Sequence, residues 1–433
     1  MKKYNYLFLL TTLLSLVACQ GFFGKKTATD FIQPIDPNNI IPPVAYVPIK
    51  PDLPIAPTTQ FQNPICVYAG FDNLMYVIDS ISPTSSVLYQ MDEIGRIQGS
   101  KTFDGRDKNV KNIRFVTQDR RLQLICIGRT DTVISGVNYS LATIFRLNLN
   151  NNGLLQLNEQ TNITQKNIHP FYRRTDGTLL VTNLFSVGGK EAENVDFVSV
   201  GVLGDNRYYV ARTGVATRPV VGSEERILLF SAQDRFLSPV EITGSGGVLF
   251  NDFFAGKRPI ALCSFIQPPH VYNLNNPTED FVVAQLSNDD PIKVRIIKAN
   301  VAEDAPTSYD VLPVTPNPAV ADDFLYRDNK FKNPISVAIT GDNANYIFVL
   351  DHFKATKSEG VLVDSSYVYP FTFQGLQGAR PPAAAISQRL VNVKIGIEGK
   401  ARSITYSGRT VYVADQTTGK IKRYKLTTDI KNY

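Results

Sequence analysis

The sequence contains no tryptophan and only three histidines, three methionines and four cysteines among 433 residues. His169, His270 and His352 share no i,i+2 or i,i+4 spacing, so no histidine pair is set to ligate a transition metal. A Gly-x-Ser-x-Gly elbow, a phosphate-binding P-loop and a Cys-x-x-Cys pair are all missing, which removes the common nucleophile, nucleotide and redox signatures. Charged residues amount to 19% and the formal net charge is +6. Spread over this length the bias is too weak to mark a nucleic-acid binder, and the low charge speaks against a helical coiled coil. No apolar run reaches the ~18–20 residues of a spanning helix. The acidic pairs Asp289-Asp290, Asp322-Asp323 and Glu224-Glu225 read as solvated loop charge, and the Asn148–Gly153 stretch lacks the acids of a calcium loop. Neither a cofactor nor a bound metal is expected.

What is plentiful points the other way. Pro (26), Gly (28), Tyr (20) and Phe (25) favour strands and turns. At the N-terminus Lys2 and Lys3 precede an apolar run from Tyr6 through Val17, which ends in Leu16-Val17-Ala18-Cys19. The run has the length of a secretory h-region. Its end resembles the lipobox of bacterial lipoproteins, in which the Cys thiol is alkylated with diacylglycerol and cleavage precedes it. The resemblance implies a signal peptide over 1–18 and lipidation of Cys19; several acyl chains on one residue anchor durably. Gln20 is not the Asp of the familiar inner-membrane retention signal, so an outer-membrane destination is expected. Residues 19–63 are proline-rich, with Pro34, Pro37, Pro42, Pro43, Pro48, Pro51, Pro54 and Pro57, and read as an extended tether. The alternative is that this stretch lies along the folded body, since Val44-Ala45-Tyr46-Val47 is apolar enough to dock. Cys66, Cys126 and Cys263 form an odd set, so at most one disulfide can be made.

From residue 64 a strand, a polar turn and a second strand recur. The clearest copies are Val67–Asp79, Ser336–Asp351 and Ser403–Asp415, with weaker ones centred on Asp119, Asp176 and Asp205. Repeats of short antiparallel strands are the unit of a β-propeller, whose blades bury their faces only by stacking. Pro334-Ile335-Ser336-Val337-Ala338 and Val411-Tyr412-Val413-Ala414-Asp415 resemble the NHL type of propeller. The expected fold is all-β: one propeller over 64–433, closed by pairing of near-terminal strands. Turn centres at 72, 119, 176, 205, about 280, 342 and 408 favour seven blades. Six is the alternative, because the step of 29 from 176 to 205 is short for a blade. Asp79, Asp351 and Asp415 read as structural caps of the turns that follow them. The strand Lys420–Lys425 puts charge on both faces, as an exposed blade edge would.

Two functional classes fit such a chain. The first is a non-enzymatic, lipid-anchored envelope scaffold that binds a protein, or a glycan, through its loops and does not engage nucleic acid. Its candidate anchors are the aromatics Tyr208, Tyr209, Phe253, Phe254, Tyr272, Tyr367 and Tyr369. The alternative is a propeller lyase or lactone hydrolase with a metal in the axial channel. The channel discriminates them, since the enzyme needs several Asp, Glu, Asn or His side chains converging there.

Overall fold

The computed structural model describes residues 45–430 apart from 56–60, 135, 152–153, 170–190, 215–224, 244–248, 251–252, 255, 269–278, 288, 302–306, 312–324, 343–345, 357–359 and 373–393. Cys19, Tyr272 and the turn at Asp176 lie outside the described residues.

Strand β1 (Tyr46–Leu53) comes first, and four-stranded antiparallel sheets follow. Blade 1 holds β2 (Pro64–Ala69), β3 (Met75–Ser82), β4 (Ser85–Met91) and β5 (Ile97–Phe103). Blade 2 begins with β6 (Val110–Gln118), β7 (Leu124–Ile134) and β8 (Val137–Leu147). A small hairpin, β9 (Asn150–Asn151) with β10 (Leu154–Leu155), precedes its outer strand β11 (Ile163–Ile168). Blade 3 is β12 (Asp196–Val202), β13 (Tyr208–Thr213), β14 (Arg226–Phe230) and β15 (Phe236–Pro239). The pair β16 (Ile242–Thr243) and β17 (Leu249–Phe250) is added to the outer edge of blade 4. That blade holds β18 (Pro259–Ser264), β19 (Phe281–Gln285), β20 (Val294–Asn300) and β21 (Ser308–Val311). Blade 5 contains β22 (Pro334–Ile339), β23 (Tyr346–Thr356), β24 (Leu362–Thr372) and β25 (Ile395–Glu398). Blade 6 has β26 (Ala401–Ser407), β27 (Thr410–Asp415) and β28 (Lys420–Leu426), with β1 outermost.

The chain is a β-propeller, and among the described residues it has six blades where the turn spacing favours seven. The innermost strands pack in the closed sequence β2, β6, β12, β18, β22, β26 and back to β2. That circle leaves no gap for a seventh. Apolar clusters fill each of the six interfaces between neighbouring blades. Strand β27 shows how the sequence achieves this: Val411 and Val413 face blade 5, while Tyr412 and Ala414 face blade 1. A strand buried on both faces needs a continuous apolar run, and this is what makes the second strand of each repeat legible.

Two expectations change at the closure. Strand β1 falls inside the stretch read as tether, yet it pairs antiparallel with β28, Tyr46 opposite Leu426 and Ile49 opposite Arg423. Leu53 is fully buried in the interface between blades 6 and 1. Consequently β28 is an interior strand and not the exposed edge that its charges suggest. Those charges are spent locally: Lys422 pairs with Asp415 at 2.7 Å, and Arg423 donates to the Pro51 carbonyl at 2.7 Å. Pro48 and Pro51 fit an outermost strand, where one side of the ladder needs no donors.

The turn aspartates do two different jobs. Asp72, Asp119 and Asp205 each accept the backbone N–H two residues on, at 3.1, 2.9 and 3.0 Å, closing the first hairpin of their blades. Asp415 caps the turn after its strand, accepting from the Thr417 N–H and the Thr418 hydroxyl. Asp79 and Asp351 reach backwards instead. Asp79 accepts the N–H groups of Gln62 and Asn63, and Asp351 those of Lys332 and Asn333, so each holds the entry to its own blade's inner strand.

Burial raises the Asp351 carboxyl above its ordinary value, although the two backbone N–H groups pull the other way. An acid whose folded pKa is raised gives its full contribution below the unfolded value of about 3.9, and part of that is lost as pH rises through the folded pKa. Asp351→Asn removes the titration and keeps one acceptor oxygen. Its stability relative to the parent should improve steadily from pH 4 upward and then level off, as read by urea melts at pH 4, 6 and 8. A pH-independent difference would mean that Asp351 does not titrate in this range.

Candidate functional site

The axial channel is the one feature to which every blade contributes. Each innermost strand starts with a register shift against its neighbour, and the shifts fall at equivalent places. They lie between Pro64 and Cys66, Lys111 and Phe115, Phe197 and Ser199, Pro259 and Ala261, Pro334 and Ser336, and Ala401 and Ser403. A β-bulge leaves one residue out of the ladder and re-aims its side chain. The residues left over line the channel in a ring: Ile65, Arg114 (with Asn112), Val198, Ile260, Ile335 and Arg402.

The ring has two unlike halves. Val198, Ile260 and Ile335 come from the consecutive blades 3, 4 and 5 and make an aliphatic arc. Arg402 of blade 6 and Arg114 of blade 2 stand on either side of Ile65 and make a cationic arc. Arg114 is committed to Asp196 at 2.8 Å, an acid that also holds Arg129. Arg402 makes no ion pair and no hydrogen bond with any described residue. Its side chain reaches the water of the channel, yet protein surrounds it, and this desolvation pulls the guanidinium below its ordinary pKa. The cavity measures about 520 Å³, within the range of small-ligand sites.

Next to the bulges, hydroxyl side chains stitch neighbouring inner strands together. Ser403 and Thr405 of blade 6 accept the N–H groups of Val67 and Ala69 in blade 1, both at 3.2 Å. Ser336 accepts the Ile404 N–H, and Ser199 donates to the Leu262 carbonyl at 2.8 Å. The splay of inner strands around the axis prevents ladder pairing between blades, so these hydroxyls satisfy groups that would otherwise be orphaned. Sequence reasoning overlooked them. Their only signal is Ser or Thr inside otherwise apolar first strands.

No Asp, Glu or His stands among the described residues that line the channel. Among the described residues no three His, Cys, Asp or Glu side chains are grouped to hold a metal. Asp290, one of the paired acids, is taken by Arg295 at 2.8 Å. His352 sits in blade 5 against the Ser366 hydroxyl at 3.2 Å. The three described cysteines are free and buried; burial pushes Cys66 up to about 11 and Cys263 up to about 12, which leaves them inert.

The aromatic anchors expected at the surface are mostly inside. Tyr208 and Tyr209 are fully buried because successive residues of β13 face the two neighbouring blades. The Tyr208 hydroxyl donates to Asp234 and that of Tyr209 to the Glu279 carbonyl. Phe254 is buried in the interface of blades 3 and 4, with Phe253 half-buried beside it under Lys257. Tyr367 and Tyr369 are half-buried, stacked edge to face at 5.9 Å. None of the described six forms an open aromatic platform.

Apolar side chains do reach solvent at the tips of the two longest hairpins. Strands β7 and β8, and β23 and β24, are eleven residues each. They run four or five residues past the start of their blades' inner strands, roughly 15 Å. Val133 and Val137 are 58% and 44% exposed on the first; Val361 and Leu362 are 54% and 62% exposed on the second. Blades 2 and 5 are diametrically opposed in a ring of six. The tips therefore flank the mouth of the channel nearest the bulge ring.

No family profile and no curated protein matches the chain. Several solved structures resemble it at low similarity. A luciferin-regenerating enzyme shares 9% identity at a TM-score of 0.43, covering 88% of this chain and 95% of its own. A BamB from Moraxella catarrhalis shares 11% at 0.33, covering 90% and 98%. An alpha-L-arabinanase from Penicillium chrysogenum, complexed with arabinobiose, shares 10% at 0.35, covering 85% and 86%. At these values the propeller rests on its own sheets and their closed circle.

Proposed function

We propose that the protein is a non-enzymatic binding propeller, anchored through lipidated Cys19 to a bacterial outer membrane and engaging an envelope protein. The observation that carries this reading is the channel lining. A hydrolase or lyase working on the axis needs carboxylates or imidazoles there, and the described lining offers arginines, hydroxyls and aliphatics. The partner surface is assigned to the two hairpin tips, whose apolar residues form separated contacts on one end of the ring. The strands beneath the tips are paired along their whole length, so the contacts are presented in a fixed register, which lowers the entropic cost of association.

One comparison tests both halves. The parent should fractionate with membranes and co-purify with one stoichiometric envelope protein. Cys19→Ala should appear in the soluble fraction yet keep the partner, whereas Val133→Asp with Leu362→Asp should stay on the membrane and lose it. Retention of the partner by the double variant would remove the hairpins from the interface. Chelator-sensitive hydrolysis of a lactone by the purified parent would overturn the non-enzymatic reading.

A further inference from the structure

Among the described residues Arg402 has no counter-ion, and a β-bulge places it at one level with an aliphatic arc across a cavity of about 520 Å³. A guanidinium in such surroundings matches a carboxylate bidentately. The arc of Val198, Ile260 and Ile335 offers the same ligand an apolar wall.

We propose that the axial channel is a binding site for a small amphipathic carboxylate, its carboxylate on Arg402 and its apolar body against Val198, Ile260 and Ile335. Arg114 is not the primary cation, because Asp196 already occupies it. The aliphatic arc selects against a bare inorganic anion, which would leave its remaining charge facing hydrocarbon. The site is independent of the hairpin tips and of any envelope partner.

The test uses the soluble chain from residue 20 and calorimetric titration with 2-hydroxyoctanoate. Binding to the parent is expected at one site per chain, with neutral 1,2-octanediol at least about tenfold weaker. Arg402→Gln should weaken the acid about ten- to a hundredfold, the loss of one charge-assisted contact. Its melting temperature should not fall, since Arg402 holds no other described residue. Inorganic phosphate should not displace the probe. Equal binding by Arg402→Gln, phosphate binding as tight as the probe, or no heat at millimolar probe would each overturn the assignment.

Discussion

Replacing Arg146 with leucine is expected to lower stability by about 3–5 kcal/mol, the usual cost of stripping one partner from a buried ion pair. Arg146 rises from β8 in blade 2 and grips carboxylates on two blades. It donates twice to Asp234 of blade 3, at 2.8 and 2.7 Å, and once to Asp119 of its own blade at 2.6 Å. The three side chains are 5%, 8% and 0% exposed, so water cannot take over when the guanidinium goes. Asp119 would keep the half-exposed Arg121 guanidinium and the N–H groups of Arg121 and Gln123, and Asp234 the Tyr208 hydroxyl. Arg146→Lys retains the charge but, with a point ammonium, cannot reproduce the three-way geometry, and should fall between parent and Arg146→Leu. Guanidinium melts at neutral pH measure the series. A leucine variant within about 1 kcal/mol of the parent would show that the network is not a structural clamp.

The second large effect concerns the closing strand. A chain that starts at residue 45 should melt like the parent, whereas one that starts at 56 should lose at least ~3 kcal/mol and self-associate. The lower bound comes from Leu53 alone, whose deletion opens a cavity of the leucine-to-alanine kind in the interface of blades 6 and 1. Self-association follows because β28 then presents an unpaired edge. A peptide spanning 45–55, added in trans, should restore part of the melting temperature. If residues 45–55 are instead a tether, both truncations will melt together.

Much of the architecture was legible because buried strands and Asx turns leave local marks. The run Val411–Ala414 is apolar on both faces, and Asp72, Asp119 and Asp205 sit two residues before the amides they hold. What the sequence hides is decided by non-local pairing. Prolines at 48 and 51 make β1 look like linker, and only its pairing with β28, at the other end of the propeller sequence, gives it a ladder. The same strand turns Lys420–Lys425 from an apparent edge into an interior element. Tyr208 and Tyr209 mislead for a related reason: adjacent aromatics suggest a surface, but a strand between two blades buries both. The bulge ring leaves a local mark in only three repeats, the pairs Pro64-Ile65, Pro259-Ile260 and Pro334-Ile335, since a bulge is defined by the register of the neighbouring strand.

The pairing of β1 with β28 also sets an order of events. The chain emerges N-terminus first, so β1, the first of the described strands, has no ladder partner until β28 has emerged as well. Its composition suits that wait. Pro48 and Pro51 deny it a full set of donors, and Lys50 and Asp52 discourage it from adding to a passing sheet edge. The closing strand thus acts as a latch that engages only when the circle is complete.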